Sequence, residues 1–226
     1  MRRLLLSLAF ALSAPPAFAQ GTEEEPQAAP GSIAIGMIEQ VDGDGIFDLV
    51  HDGAVTVRHT RSGLICHFLR NGDGGRLIIF NPPTDPAHSA EITIPRGDDV
   101  ACEMEEGGAH IRYFATRYPF GSTLDEQIAG VEAAIRGRNA NATRYPGEST
   151  RNTEDGLPLR RTTRFIITQQ GVRTYTRASV ARVGDWILKL RYSAPAPDDA
   201  AAAHADQAAD RLFDGALDEI INPRTQ

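Results

Sequence analysis

The sequence predicts an α+β fold: an antiparallel β-sheet with two main helices, at about 122–136 and 198–221, packed on one face. Three observations carry this. Short runs with period-two apolar alternation fill the first half of the chain. A helical apolar stripe interrupts them at 122–136, and three more strand-like runs lead to a second long amphipathic stripe at 198–221. Strands, helix, strands, helix, with no regular β–α alternation, favour helices set against an antiparallel sheet.

Residues 1–19 read as an export signal. Arg2 and Arg3 precede an apolar run, and Ala17-Phe18-Ala19 fits small-x-small cleavage, so the mature chain is expected to begin near Gln20, in the periplasm or secreted. Residues 20–31 form an acidic, proline-bearing lead poor in apolar side chains, expected to be disordered. Residues 32–226 are expected to make a single α+β domain, β-rich over 32–118 and helix-strand-strand-strand-helix over 119–226. Segment 33–41 fits either a helix or a strand.

Strands are expected at 54–59, 64–69 and 76–80, with turn residues between them, then a proline-broken loop over 81–89. Strands at 90–95, 100–105 and 109–116 continue an antiparallel meander, with Gly107-Gly108 as a hairpin turn. In the helix at 122–136, Leu124, Ile128, Val131 and Ile135 share one face. Thr123 and Glu126 have capping-box spacing, and Gly137 suits the C-terminal cap. Strands at 159–169 and 172–183 flank Gln170-Gly171, and a third, 186–192, follows Gly184-Asp185, a pair suited to a type II′ turn. Asp198 is the natural N-cap of the last helix, whose apolar stripe is Leu212, Phe213, Ala216, Leu217, Ile220 and Ile221; Asn222-Pro223 ends it.

Net charge is −7, unevenly spread. Residues 20–110 hold 5 basic and 16 acidic side chains, whereas 140–195 hold 10 basic and 4 acidic. The acidic total argues against nucleic acid or an anionic membrane as a general partner, while the basic segment suits a small anion. No run after the signal approaches the ~20 apolar residues of a membrane span.

Cys66 alternates with Leu64 and Phe68, and Cys102 with Val100 and Met104, so both point inward on different strands. In an oxidising compartment they are expected to form a disulfide. Zinc and thioredoxin-type chemistry both call for close Cys-x-x-Cys spacing, which is absent. No metal site and no cofactor are expected. His59 and His67, on neighbouring strands, are the nearest approach to a metal pair.

Other motifs reduce to turns. Residues 42–48 lack the fifth- and sixth-position residues of a calcium loop, and Arg96-Gly97-Asp98 reads as a polar turn. Asn141-Ala142-Thr143 matches a glycosylation sequon. No catalytic set stands out. Strand register is more informative. A Gln170-Gly171 turn sets Arg164 opposite Arg177, a like-charge pair needing an acidic neighbour, solvent or a bound anion. The next turn sets Arg177 opposite Tyr192. Arg164, Arg177 and Tyr192 are thus the candidate anion-binding residues, with Arg182, Lys189 and Arg191 sent to the other face.

The stretches Arg58-His59-Thr60-Arg61-Ser62-Gly63-Leu64-Ile65-Cys66, Gly97-Asp98-Asp99-Val100-Ala101-Cys102 and Tyr113-Phe114-Ala115-Thr116-Arg117-Tyr118-Pro119 resemble a family of uncharacterised exported proteins of alphaproteobacterial type. That resemblance implies a signal peptide and a paired Cys66–Cys102. The C-terminal half, with Val183-Gly184-Asp185-Trp186-Ile187-Leu188-Lys189 in its last strand, resembles PsbP-like domains in arrangement, a group that mostly serves as accessory or assembly factors. The expected function is that of a non-enzymatic periplasmic binding or accessory domain with an envelope protein or small anionic ligand as partner. The alternatives are a small-molecule hydrolase with a loop-built site and an envelope structural or stress protein.

Overall fold

The computed structural model describes residues 28–80, 94–151, 156–169 and 171–223. The export signal, most of the acidic lead, the 81–89 loop and most of the strand expected at 90–95 lie outside these ranges. In chain order the elements are α1 (Pro30–Glu39), β1 (Phe47–Leu49), β2 (Val55–His59), β3 (Ile65–Phe68), β4 (Arg76–Ile79), β5 (Asp99–Glu106), β6 (Ala109–Arg117), α2 (Leu124–Arg138), β7 (Thr143–Arg144), β8 (Thr150–Arg151), β9 (Arg160–Gln169), β10 (Val172–Val183), β11 (Trp186–Pro195) and α3 (Asp199–Ile221).

The fold is α+β, with antiparallel sheets. The expected meander is divided in two. β1-β2-β3 form a small sheet, and β4-β5-β6-β11-β10-β9-β7 form the path of a large one, with β8 also paired to β9. The break falls between β3 and β4, where Gly72 and Gly74 take φ of +75° and +66° and turn the chain away. The disulfide then spans the break, from Cys66 on β3 to Cys102 on β5. Segment 33–41, open between helix and strand, is helical as α1, with Pro30 at its start.

Adjacent residues of β9 place the two long helices. Thr163 donates to Glu132 of α2 at 2.8 Å, whereas Arg164 donates to Asp206 of α3 at 2.7 Å. Successive strand side chains point to opposite faces, so α2 and α3 lie on opposite faces of the large sheet rather than sharing one. The α3 face carries the core. Ala202, Ala205, Ala209, Phe213 and Leu217 of α3 are buried with Ile111, Leu188 and Leu190 of the sheet, and the small sheet and α1 extend the same cluster.

α2 is held more lightly. Of its predicted stripe only Val131 is buried; Leu124, Ile128 and Ile135 are half-covered. Its N-terminus carries the expected capping box, Thr123 Oγ1 accepting from the Glu126 amide and Glu126 accepting from the Thr123 amide. Its C-terminus runs past Gly137 to Arg138, and Asn139 is the cap, with amide and side chain both donating to the Ile135 carbonyl. Asp198 caps α3 as expected, accepting from Ala201. Gly184 opens the β10–β11 turn with φ +55°, the conformation a type II′ turn requires there.

Candidate functional site

The register predicted from the turns is observed: Arg164 pairs with Arg177, and Arg177 with Tyr192. An acidic neighbour resolves the like-charge pair. Asp206, Asp210 and Asp214 recur every fourth residue on α3 and meet three arginines of the sheet. Arg177 Nη1 donates to Asp206 Oδ1 at 2.6 Å and its Nη2 to Asp210; Arg164 Nε donates to Asp206 at 2.7 Å. Arg160 donates to Asp210 at 2.7 Å and to Asp214 at 2.5 Å, and the Tyr175 hydroxyl donates to Asp206. The backbone of Gly147, at φ +151°, packs on the Arg164 guanidinium, where a Cβ would come within 3.0 Å. Burial pushes the Asp206 carboxyl up, but hydrogen bonds from Tyr175 and Arg164 and the charges of Arg177 and Arg164 outweigh it and hold it below the usual carboxylate range. The positive charge of Arg164 and Arg177 is therefore matched from within. Tyr192 is buried on the same face.

The other predicted residues are placed as follows. His59 and His67 do not meet. His59 is fully buried, hydrogen-bonded to Ser62 at 2.7 Å and edge-on to Phe47 and Trp186. Burial, with a minor contribution from Arg61, brings its imidazole down to about 4. His67 contacts Glu219 on α3 at 3.1 Å. Arg96 donates to the carbonyls of Val41 and Asp42, and buried Asp98 is paired with Arg61, so the Arg-Gly-Asp stretch is a structural corner.

The unmatched charge lies on the α2 face. Arg112 of β6 stands directly across from Arg191 of β11, and Phe114 across from Lys189. Three cations surround the Phe114 ring: Lys189 Nζ and Arg191 Cζ at 5.3 Å, and Arg112 Cζ at 5.8 Å from its centroid. Phe80 stacks on the same ring, with centroids 6.1 Å apart. Among the described residues two carboxylates face this row: Glu103, shared among Arg76 at 2.7 Å, His110 at 3.2 Å and Arg112, and Asp99, whose charge acts on Lys189. The Nε atoms of Arg112 and Arg191 are buried with no hydrogen-bond partner among the described residues. Burial, then the neighbouring arginines, lowers the affinity of both guanidiniums for their protons. Burial, then Arg191, brings Lys189 down to about 8.

Arg112, Arg191 and His110 border a cleft of about 480 Å³ between α2 and the strands β6, β11, β10 and β9. Arg112, Arg138 and Arg191 line its cationic side. Ser193 and Thr176, also on the wall, hydrogen-bond to each other at 2.8 Å, and no hydrogen bond joins Ser193 to His110. The volume falls within the usual ~300–1,000 Å³ of ligand sites.

Sequence reasoning had placed Lys189 and Arg191 on this face but had not joined Arg112 to them. The signal was available. Residues 109–116 and 186–192 both read as strands, and pairing them sets Arg112 beside Arg191. The acidic ladder was likewise written in the four-residue spacing of Asp206, Asp210 and Asp214, which the apolar stripe of the same helix overshadowed.

No family model matches the chain and no curated protein is similar to it. Among solved structures, a Pseudomonas aeruginosa protein of unknown function overlaps 74% of this chain and 92% of its own, with 8% identity and a TM-score of 0.38. LpqN of Mycobacterium tuberculosis, involved in cell envelope biogenesis, overlaps 62% of this chain and 76% of its own, with 12% identity and a TM-score of 0.31. Overlaps at this level carry no argument about a shared fold or activity.

Proposed function

We propose that this protein is an exported, non-enzymatic binding or accessory domain of the cell envelope, and that its ligand is an anion held in the cleft beside α2. The observation that carries the reading is the charge imbalance around Phe114. Arg112, Lys189 and Arg191 converge there against two carboxylates among the described residues, Glu103, already shared with Arg76 and His110, and Asp99 beside Lys189. Like charges directly across a strand pair are unfavourable, and a bound anion would relieve them through charge-assisted hydrogen bonds to the guanidiniums. The mutual hydrogen bond of Ser193 and Thr176 favours binding over catalysis, because neither hydroxyl is paired with a base. Export is supported by the leader sequence and by the disulfide.

Titration with inorganic phosphate, followed through the arginine Nε–H resonances, tests this. Arg112 and Arg191 should shift and saturate, Arg164 and Arg177 should stay still, and Arg191→Ala should lower affinity at least tenfold. Shifts confined to Arg164 and Arg177, or none up to tens of millimolar, would refute it.

A further inference from the structure

We infer that the cleft beside α2 takes an amphiphile: a single aliphatic chain lying under the helix, with an acidic headgroup between Arg112 and Arg191. This rests on the anion reading above and adds the class of ligand.

The two halves of the cleft differ in chemistry. Over β9 and β10 aliphatic side chains, Val131, Ala134 and Ile135 from the helix facing Ile167 and Ala178 from the strands, are interspersed with Gln169, Thr176 and Arg177. Over β6 and β11 it is cationic, with Arg112 and Arg191 in the floor and Arg138 at the helix end. A small inorganic anion would satisfy only the second half. It would leave Ala134 and Ile135 half-covered over Ile167 and Ala178, on a helix whose only buried residue is Val131. No aromatic ring lines that first half, so its shape and chemistry suit a flexible chain rather than a flat ring system. The floor spans four strands, or three spacings of ~4.8 Å. That is about 14 Å, room for an extended short chain with its head at β6 and β11.

The head group needs at least two acceptor oxygens. Arg112 and Arg191 stand at directly paired positions and both line the cleft, so their terminal nitrogens can grip two oxygens of a carboxylate or phosphate. Glu103 lies beside Arg112, which fixes that guanidinium in place and leaves Arg191 as the stronger electrostatic anchor.

Calorimetric titration of the mature, oxidised protein with three probes separates this inference from its premise. Octyl phosphate, below its aggregation concentration, should bind at least tenfold more tightly than inorganic phosphate. Octyl glucoside, with the same chain and no charge, should bind at least tenfold more weakly than octyl phosphate. Ile135→Ser should weaken octyl phosphate severalfold and leave inorganic phosphate unchanged, and Arg191→Ala should weaken both. Equal affinity for inorganic and octyl phosphate would overturn the amphiphile and leave the anion site standing. Equal affinity for octyl phosphate and octyl glucoside would overturn the acidic head. No binding of any probe would overturn both readings. The probe comparison uses the unaltered chain, so it holds even where a substitution impairs folding.

Discussion

His59 shows how one side chain can set the acid limit of this protein. It is fully buried, touches Phe47 and Trp186 edge-on, and holds its proton only below about 4. An unfolded histidine binds its proton near 6.5. Between these values the unfolded chain carries more protons than the folded one, so stability rises with pH through this window and is lost as pH falls from about 6.5 to 4. At ~1.4 kcal/mol per unit, the loss is roughly 3 kcal/mol. Urea unfolding at pH 7 and at pH 4.5 should show it, and His59→Phe should flatten this part of the pH profile. Next to the cleft, on the Phe114 ring it shares with Arg191, Lys189 loses its charge near 8, so sulfate, which does not titrate there, should bind well below that pH and several-fold more weakly at pH 9. Lys189→Arg should preserve binding to higher pH. A pH-independent affinity in the unaltered protein would remove Lys189 from the site.

At the scale of elements, the strands and the two long helices were legible because each rests on local signals: alternation, a capping box, a two-residue turn. Even the cross-strand pairs of β9, β10 and β11 followed from turn length alone. What stayed hidden depended on which layer covers which face. An apolar stripe says that a helix packs, not where, and the distribution of α2 and α3 across the sheet is settled by side-chain pairs such as Thr163–Glu132 and Arg164–Asp206. The charged interface under α3 illustrates the point. Removing one partner there should leave buried guanidinium without compensation. Asp206→Ala, which strips acceptors from Arg164, Arg177 and Tyr175, should cost ~3–5 kcal/mol in equilibrium unfolding. Thr123→Ala at the light end of α2 should cost only ~1 kcal/mol, with amide exchange rising first in that helix.

For the molecule as a whole, the disulfide joins two sheets that share no ladder. Cys66 sits in the three-stranded sheet and Cys102 in the eight-stranded one, 36 residues apart in sequence. The link had been expected from inward alternation, whereas the division into two sheets was not legible, because alternation is the same on either side of a break. Cys66→Ser with Cys102→Ser should lower stability by ~2–4 kcal/mol, and hydrogen exchange should quicken earliest in β1, β2 and β3. Uniform loss of protection across both sheets would show that the small sheet is held by packing alone.

The β10–β11 hairpin, finally, decides which side of the protein is sociable. Its two-residue corner at Gly184-Asp185 sets Leu188 and Leu190 toward α3 and Lys189 and Arg191 toward the α2 face. Because side chains swap sides at every step along a strand, one residue added at that corner would drive two cations into the oily interior and strand two leucines beside α2. A short tether thus acts as the address label for the whole α2 face, and lengthening it should silence the proposed anion cleft and unfold the chain in a single stroke.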